Sequence, residues 1–172
     1  MNTLKIISNT IDNIVSSLGK IFGTIIIFPM IFATVYDVIL RYFLNTSTIW
    51  AYDFTWMSYA AFFLLGASYC LQKDGHVRVD TFYNKITKRR RALLECIILL
   101  FFLFPLIYFV LRHSIPWAYK SWIMHERSQY TMWRPYVFPI KIVLPISFIF
   151  LGLQGISNFI KNIVYAVKGV TL

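Results

Sequence analysis

The chain has 172 residues, of which 58% are hydrophobic and 14% are charged, whereas soluble domains carry about 25% charged residues. This composition excludes an ordinary soluble domain, and one membrane bundle would use nearly the whole length. The net charge of +10 would suggest nucleic-acid binding in a soluble chain, but its uneven distribution among the loops is typical of a membrane protein, so no nucleic-acid partner is expected.

Four apolar segments are long enough to cross a bilayer as helices, which takes about 20 residues each. They cover residues 21–44, 49–72, 90–117 and 139–162. We therefore expect an all-α integral membrane protein with four transmembrane helices in a domain at 20–165. A cytoplasmic tail at 166–172 would follow it.

Two further segments are amphipathic and are expected to be helices lying at the membrane surface. Residues 1–19 place apolar side chains such as Ile7, Ile11 and Leu18 at helical spacing, without the cleavage site of a secretory signal. A second short helix is expected in the link between the second and third spans. There His76, Arg78 and Asp80 alternate with valines, and we take them as an anchor at the inner surface.

The loop charges predict the orientation. Residues 73–91, from the end of the second span to the start of the third, hold seven Lys and Arg residues, and the link between the first and second spans holds none. By the positive-inside rule the basic link and both termini are cytoplasmic. This outweighs the four basic residues at 112–134, at the end of the third span and in the expected outer loop.

Polar residues at the span ends are the first candidates for specific contacts. Asp37 and Arg41 are four residues apart on one helix, a spacing that allows an ion pair. Trp50 marks the outer headgroup level and Asp53 lies in the first turn of the second span, where an anion is favoured. Further along, Glu95 follows Arg91 at the same pairing distance.

Within the spans, small and polar residues predict contacts between helices. Gly66 lies in a small-residue stretch and is expected to be a packing point, as is Gly155. Gln154 is the strongly polar residue near the middle of the fourth span and is expected to hydrogen-bond to a neighbouring helix. Pro105 should bend the third span.

No residue pattern predicts an enzyme. The three histidines do not form a facing pair for haem, no metal-ligand spacing is present, and Cys70 and Cys96 are read as apolar fillers, so no cofactor is expected. Too few polar groups lie near the midplane to bind a charged solute. A supporting subunit of a membrane complex fits these observations better than an independent transporter.

Several local patterns together resemble the DctQ-like small membrane subunit of tripartite ATP-independent periplasmic (TRAP) transporters, over about residues 20–165. The most specific is the run from Gly75 to Asp80. The others are Arg41-Tyr42, Trp50-Ala-Tyr-Asp53, Gly66, Glu126-Arg-Ser128, Trp133-x-Pro135, Pro139-x-Lys141 and Leu153-Gln154-Gly155. Members often carry two adjacent acids where this chain has Tyr52-Asp53.

The resemblance implies a scaffold that holds a larger, elevator-type membrane subunit. A periplasmic binding protein would deliver an organic acid to that subunit, a sodium gradient would drive uptake, and membrane lipids would surround the complex. The alternatives left open are a subunit of another membrane complex, a small channel, and a membrane redox or haem anchor.

Overall fold

The computed structural model describes residues 2–73 and 87–168. These residues form five α-helices, with a π-helical segment, Leu99–Leu103, between the third and the fourth. The helices are α1 (Asn2–Phe43), α2 (Ala51–Gln72), α3 (Lys88–Ile98), α4 (Phe104–Ile123) and α5 (Phe138–Lys168).

Four stretches of helix are long and apolar enough to cross a membrane. They are Lys5–Phe43, Ala51–Gln72, Arg89–Ile123 and Phe138–Val167. The third consists of α3, the π segment and α4 in continuous succession. The predicted all-α class with four membrane-spanning helices is confirmed. The helical stretches that form the first, third and fourth spans extend beyond the predicted bounds.

The polarity of the bundle is reversed relative to a soluble protein. Phe28 is 66% exposed and Phe102 is 74% exposed, whereas Asp53 and Gln154 are completely buried. Apolar side chains facing outward are stable when the surrounding solvent is hydrocarbon, and polar groups then need partners inside the protein.

The predicted boundary between an interfacial helix at 1–19 and the first span is absent, because α1 continues without a break from Asn2 to Phe43. Gly19 lies at that point but does not end the helix. A Cβ on Gly19 would lie 2.7 Å from Tyr69 Cβ, so glycine there allows α1 and α2 to approach each other closely. The interfacial position of the first residues stays a prediction.

The third span is irregular just before Pro105. Pro105 has no amide hydrogen, and its ring would clash with the carbonyl of the residue four positions earlier in a regular α-helix. The helix widens into π geometry over Leu99–Leu103 and resumes as α4 at Phe104. The local disturbance expected at this proline therefore takes the form of a π segment.

Helix α5 is the centre of the bundle. It contacts the α1–α2 pair and also the third span. Gly155 makes one of these contacts possible, since a Cβ there would lie 2.8 Å from Leu103 Cδ2. The connections at 44–50 and 124–137 lie at one end of the bundle, which we call the Asp53 end; the opposite end is the Asp12 end.

Candidate functional site

The carboxylate of Asp53 holds the loop at 124–137, called here the Glu126 loop, onto the start of α2. Ser128 Oγ donates to Asp53 Oδ1 over 2.8 Å, and Trp56 Nε1 donates to the same oxygen over 3.0 Å. The Thr131 hydroxyl donates to Asp53 Oδ2. We call these four residues the Asp53 clamp. Asp53 makes no salt bridge with the residues that the structure describes. The charge of its carboxylate is stabilised instead by the three hydrogen-bond donors and by the N-terminus of α2.

The Glu126 loop is also closed by its own backbone. Ser128 N donates to Pro135 O over 2.8 Å, and Val137 N donates to Glu126 O over 3.0 Å. Arg134 takes a left-handed conformation with φ of 46°. These bonds make the loop a defined surface element at the Asp53 end.

A second contact fixes the loop to α5. Lys141, with only 7% of its side chain exposed, donates to Glu126 and lies 4.1 Å from the centre of the Trp117 ring. The hydrogen bond from Lys141 lowers the pKa of Glu126. The pair therefore stabilises the loop while Glu126 is ionised.

Asp37 and Arg41 are paired within the chain, with Arg41 Nη2 2.7 Å from Asp37 Oδ2. Asp37 also accepts from Thr48, from its amide over 2.8 Å and from its hydroxyl over 2.5 Å. The carboxylate thus holds the connection between α1 and α2. Trp50 packs there as well, with its ring centre 6.2 Å from that of Tyr36 and 6.1 Å from that of Phe54.

At the other end of the bundle, the Asp12 cluster joins α1 to α5. It consists of Ser8, Asp12, Gln154, Ser157 and Lys161. Asp12 accepts from Lys161, from Gln154 Nε2 over 3.0 Å and from Ser157 Oγ over 2.8 Å, and the hydroxyls of Ser8 and Ser157 lie 2.7 Å apart. Gln154 therefore bonds to another helix, and its partner is an acid that sequence analysis did not single out.

The remaining helices are also tied together at this end. Gln72 Nε2 donates to the backbone oxygen of Asp12 over 2.6 Å, which joins α2 to α1. Asn162 Nδ2 donates to Glu95 Oε2 over 2.9 Å, which joins α5 to α3. Arg91 Nε lies 3.3 Å from Glu95 Oε1, at the spacing expected from the sequence.

The two glycines predicted as packing points differ in their surroundings. Gly155 lies against Leu103 and Phe104. A Cβ on Gly66 would meet nothing within 4 Å among the described residues, so no other helix of this chain packs against it there, and packing of Gly66 against a partner stays a prediction. Spacing of small residues identifies a surface that permits close approach, but not whether a helix of the same chain occupies it.

The predicted inner-surface anchor of His76, Arg78 and Asp80 lies outside the described residues. Among those described, no group of three or more His, Cys, Asp or Glu side chains could hold a metal ion. The acidic groups at both ends of the bundle instead hold helices and loops in place, which is a structural role. The candidate site therefore consists of the Asp53 clamp, the Asp12 cluster and the surface of the bundle that these contacts hold in place, including the Glu126 loop.

Comparisons with known proteins give one family. No curated protein sequence matches the chain. The model of the DctQ component of tripartite ATP-independent periplasmic transporters matches residues 30–164, well over half of the chain. The match includes Asp53, Ser128 and Gln154 but begins after Asp12. The chain is thus a multi-pass membrane protein and a transporter component, and it belongs to the DctQ family of TRAP transporter small subunits.

Proposed function

We propose that this chain is the scaffold subunit that holds a larger, elevator-type membrane subunit in place during transport. Membership of the DctQ family carries the proposal, since it implies a heteromeric complex with other transporter subunits. The contacts of the bundle support a static role. The acids Asp12, Asp37 and Asp53 each accept several hydrogen bonds within the chain, and such bonds fix helices and loops in one arrangement.

The substrate and its driving force belong to the other subunits in this proposal. A periplasmic binding protein delivers an organic acid to the large subunit, and sodium moves with it. The scaffold contributes a fixed surface against which the large subunit moves. The transport step therefore requires this chain without using any of its side chains as a solute ligand.

In this proposal the Asp53 end faces the periplasm of a bacterial inner membrane and both termini are cytoplasmic. The distribution of basic residues supports it, because the link 73–91 holds seven Lys and Arg residues. Single cysteines placed at Gln129 and at Lys168, in a chain with Cys70 and Cys96 replaced by Ala, test this orientation with a membrane-impermeant thiol reagent. Only the cysteine at 129 should react in intact spheroplasts; reaction only at 168 would reverse the proposed orientation.

We further propose that the surface around Gly66 contacts the large subunit. A shallow groove of about 290 Å³ lies there between α1 and α2, lined by Gly19, Gly23 and Gly66 among others. Small residues let a partner helix approach the backbone closely, which strengthens packing in a bilayer.

Co-purification with the large subunit tests the proposed scaffold function. When a tagged copy of this chain is expressed together with the large subunit of the same transporter, the two should elute together from affinity and size-exclusion columns in mild detergent. A chain that elutes alone at every detergent concentration would contradict the scaffold function. An absorption band of bound haem in the pure chain, or solute flux through it in liposomes, would favour the redox-anchor or channel alternatives instead.

A further inference from the structure

A cleft of about 820 Å³ lies beside the Glu126 loop and is lined by residues of α2, α4 and the first turns of α5. Its walls include Trp56, Trp117 and Lys141. Trp56 lies in the second turn of α2, Trp117 lies within two turns of the end of α4, and Lys141 lies in the first turn of α5. Tryptophan and lysine at helix ends are typical of the boundary between headgroups and hydrocarbon, so the mouth of the cleft lies at that level.

The lining is charged at the Glu126 loop and apolar further along the helices. The loop contributes Glu126 and Arg127, and α2 and α5 contribute Leu64 and Leu144. Leu64 is eight residues beyond Trp56 on α2, which places it about 12 Å deeper along the helix. A phospholipid has the same order of polarity, a charged headgroup followed by acyl chains.

The charges at the mouth favour an anion. Glu126 is paired with Lys141, and this leaves Arg127 as the excess cation among the three charged residues of the lining. Arg127 is exposed, lies 4.8 Å from the centre of the Tyr136 ring and donates to the Tyr136 hydroxyl over 3.1 Å. This contact orients the guanidinium and leaves other N–H groups for a phosphate, which guanidinium groups bind through paired hydrogen bonds.

The cleft is too small to enclose a partner helix. A helix about 30 Å long and about 10 Å across, enough to span the hydrocarbon, has a volume of roughly 2,000 Å³. The cleft is less than half of that volume.

We propose that this cleft binds one phospholipid from the leaflet at the Asp53 end, with its phosphate against Arg127 and an acyl chain between Leu64 and Leu144. The lipid would fill the space between α2 and α4, and would couple the Glu126 loop to the bilayer. The inference does not depend on the scaffold function.

Native mass spectrometry of the transporter complex, purified in mild detergent, tests the proposal by counting retained phospholipids. Leu144→Trp should fill the deeper part of the cleft and should retain one phospholipid fewer per complex than the wild type. Arg127→Gln should lower the retained fraction several-fold. Two control variants lie away from the cleft lining, Ile149→Trp on an exposed part of α5 and Arg134→Gln in the same loop, and both should retain the wild-type number.

Equal phospholipid counts in the wild type and in both cleft variants would overturn the proposal. Should Leu144→Trp fail to fold, a photo-crosslinking residue at position 144 gives an independent readout in the same complex. A mass increase equal to one phospholipid is expected after illumination, whereas a covalent link to another polypeptide would show that a partner subunit fills the cleft. Because lipid is counted by mass, this result is separate from uptake.

Discussion

Ser128 donates a hydrogen bond of 2.8 Å to Asp53 although 75 positions separate the two residues in the sequence. Both side chains are buried, and with Trp56 and Thr131 they fix the Glu126 loop over the start of α2. This bond connects the first half of the bundle to the loop that enters its central helix. The attachment of the Glu126 loop to α2 therefore depends on this buried carboxylate.

Replacing this carboxylate should destabilise the chain more than replacing any single donor. Asp53→Ala leaves one buried and two half-buried donors without an acceptor and should lower the free energy of unfolding by about 3 kcal/mol, and Ser128→Ala by about 1 kcal/mol. Denaturation in mixed micelles measures both. Tyr59→Phe, which alters an exposed side chain of α2, should have little effect. A double variant whose loss equals the sum of the single losses would show that Asp53 and Ser128 do not interact.

The bond between Glu126 and Lys141 should make loop stability depend on pH. The pKa of Glu126 is lowered in the folded state from its ordinary value of 4.5. Its contribution is therefore complete above about pH 4.5 and is lost as the pH falls through the lowered value. The difference in melting temperature between wild type and Glu126→Gln should shrink as the pH falls from 7 to 3. A difference that stays constant across this range would contradict the ion pair.

Replacing Asp37 by Ala should lower the yield of the assembled complex more than replacing Arg41, and replacing Arg41 should lower it more than replacing Lys168. Asp37→Ala removes the acceptor of both Arg41 and Thr48, whereas Arg41→Ala removes one of those donors. Lys168→Ala changes a cation at the end of the last helix. The yield of the complex after membrane extraction measures the order. Equal yields for Arg41→Ala and Lys168→Ala would refute the proposed importance of the pair.

Two glycine variants separate packing within the chain from packing against the partner. Gly19→Ala places a Cβ 2.7 Å from Tyr69 Cβ and should destabilise the isolated chain by about 1–3 kcal/mol. Gly66→Leu extends into open space and should leave the isolated chain as stable as the wild type while lowering its yield in the complex several-fold. Unchanged complex formation by Gly66→Leu would remove this surface from the proposed interface.

The Asp12 cluster should act as one unit. Asp12→Ala removes the acceptor of Lys161 and of two neutral donors, so it should lower the free energy of unfolding by about 2 kcal/mol. In the double variant with Lys161→Ala the loss should be smaller than the sum of the two single losses, because the same bond is removed twice. Additive losses would show that Asp12 does not stabilise the chain through its bond with Lys161.

Local patterns in the sequence were enough to predict the four spans and the ion pairs within single helices. Hydropathy predicts four spans because each must satisfy the same length and polarity requirements on its own. The Asp37–Arg41 and Arg91–Glu95 spacings are also local, since four residues make one helical turn, and both pairs are present. Gln154 could be predicted to seek a partner because its side chain is polar within an apolar span.

The partners across helices could not be predicted in the same way. Asp12 and Lys161 are 149 positions apart, and no periodic pattern connects them. The opposite surroundings of Gly66 and Gly155 depend on which helices become neighbours. One part of the Asp53 clamp was visible in the sequence, because Ser128 belongs to the Glu126-Arg-Ser128 pattern. The sequence did not indicate which acid Ser128 contacts.

Uptake into proteoliposomes tests the scaffold function most directly. The large subunit is reconstituted with and without this chain, and uptake of the delivered organic acid is followed under an inward sodium gradient with the binding protein outside. Uptake should require this chain, and Asp53→Ala should reduce it. Equal uptake by the large subunit alone would contradict the account.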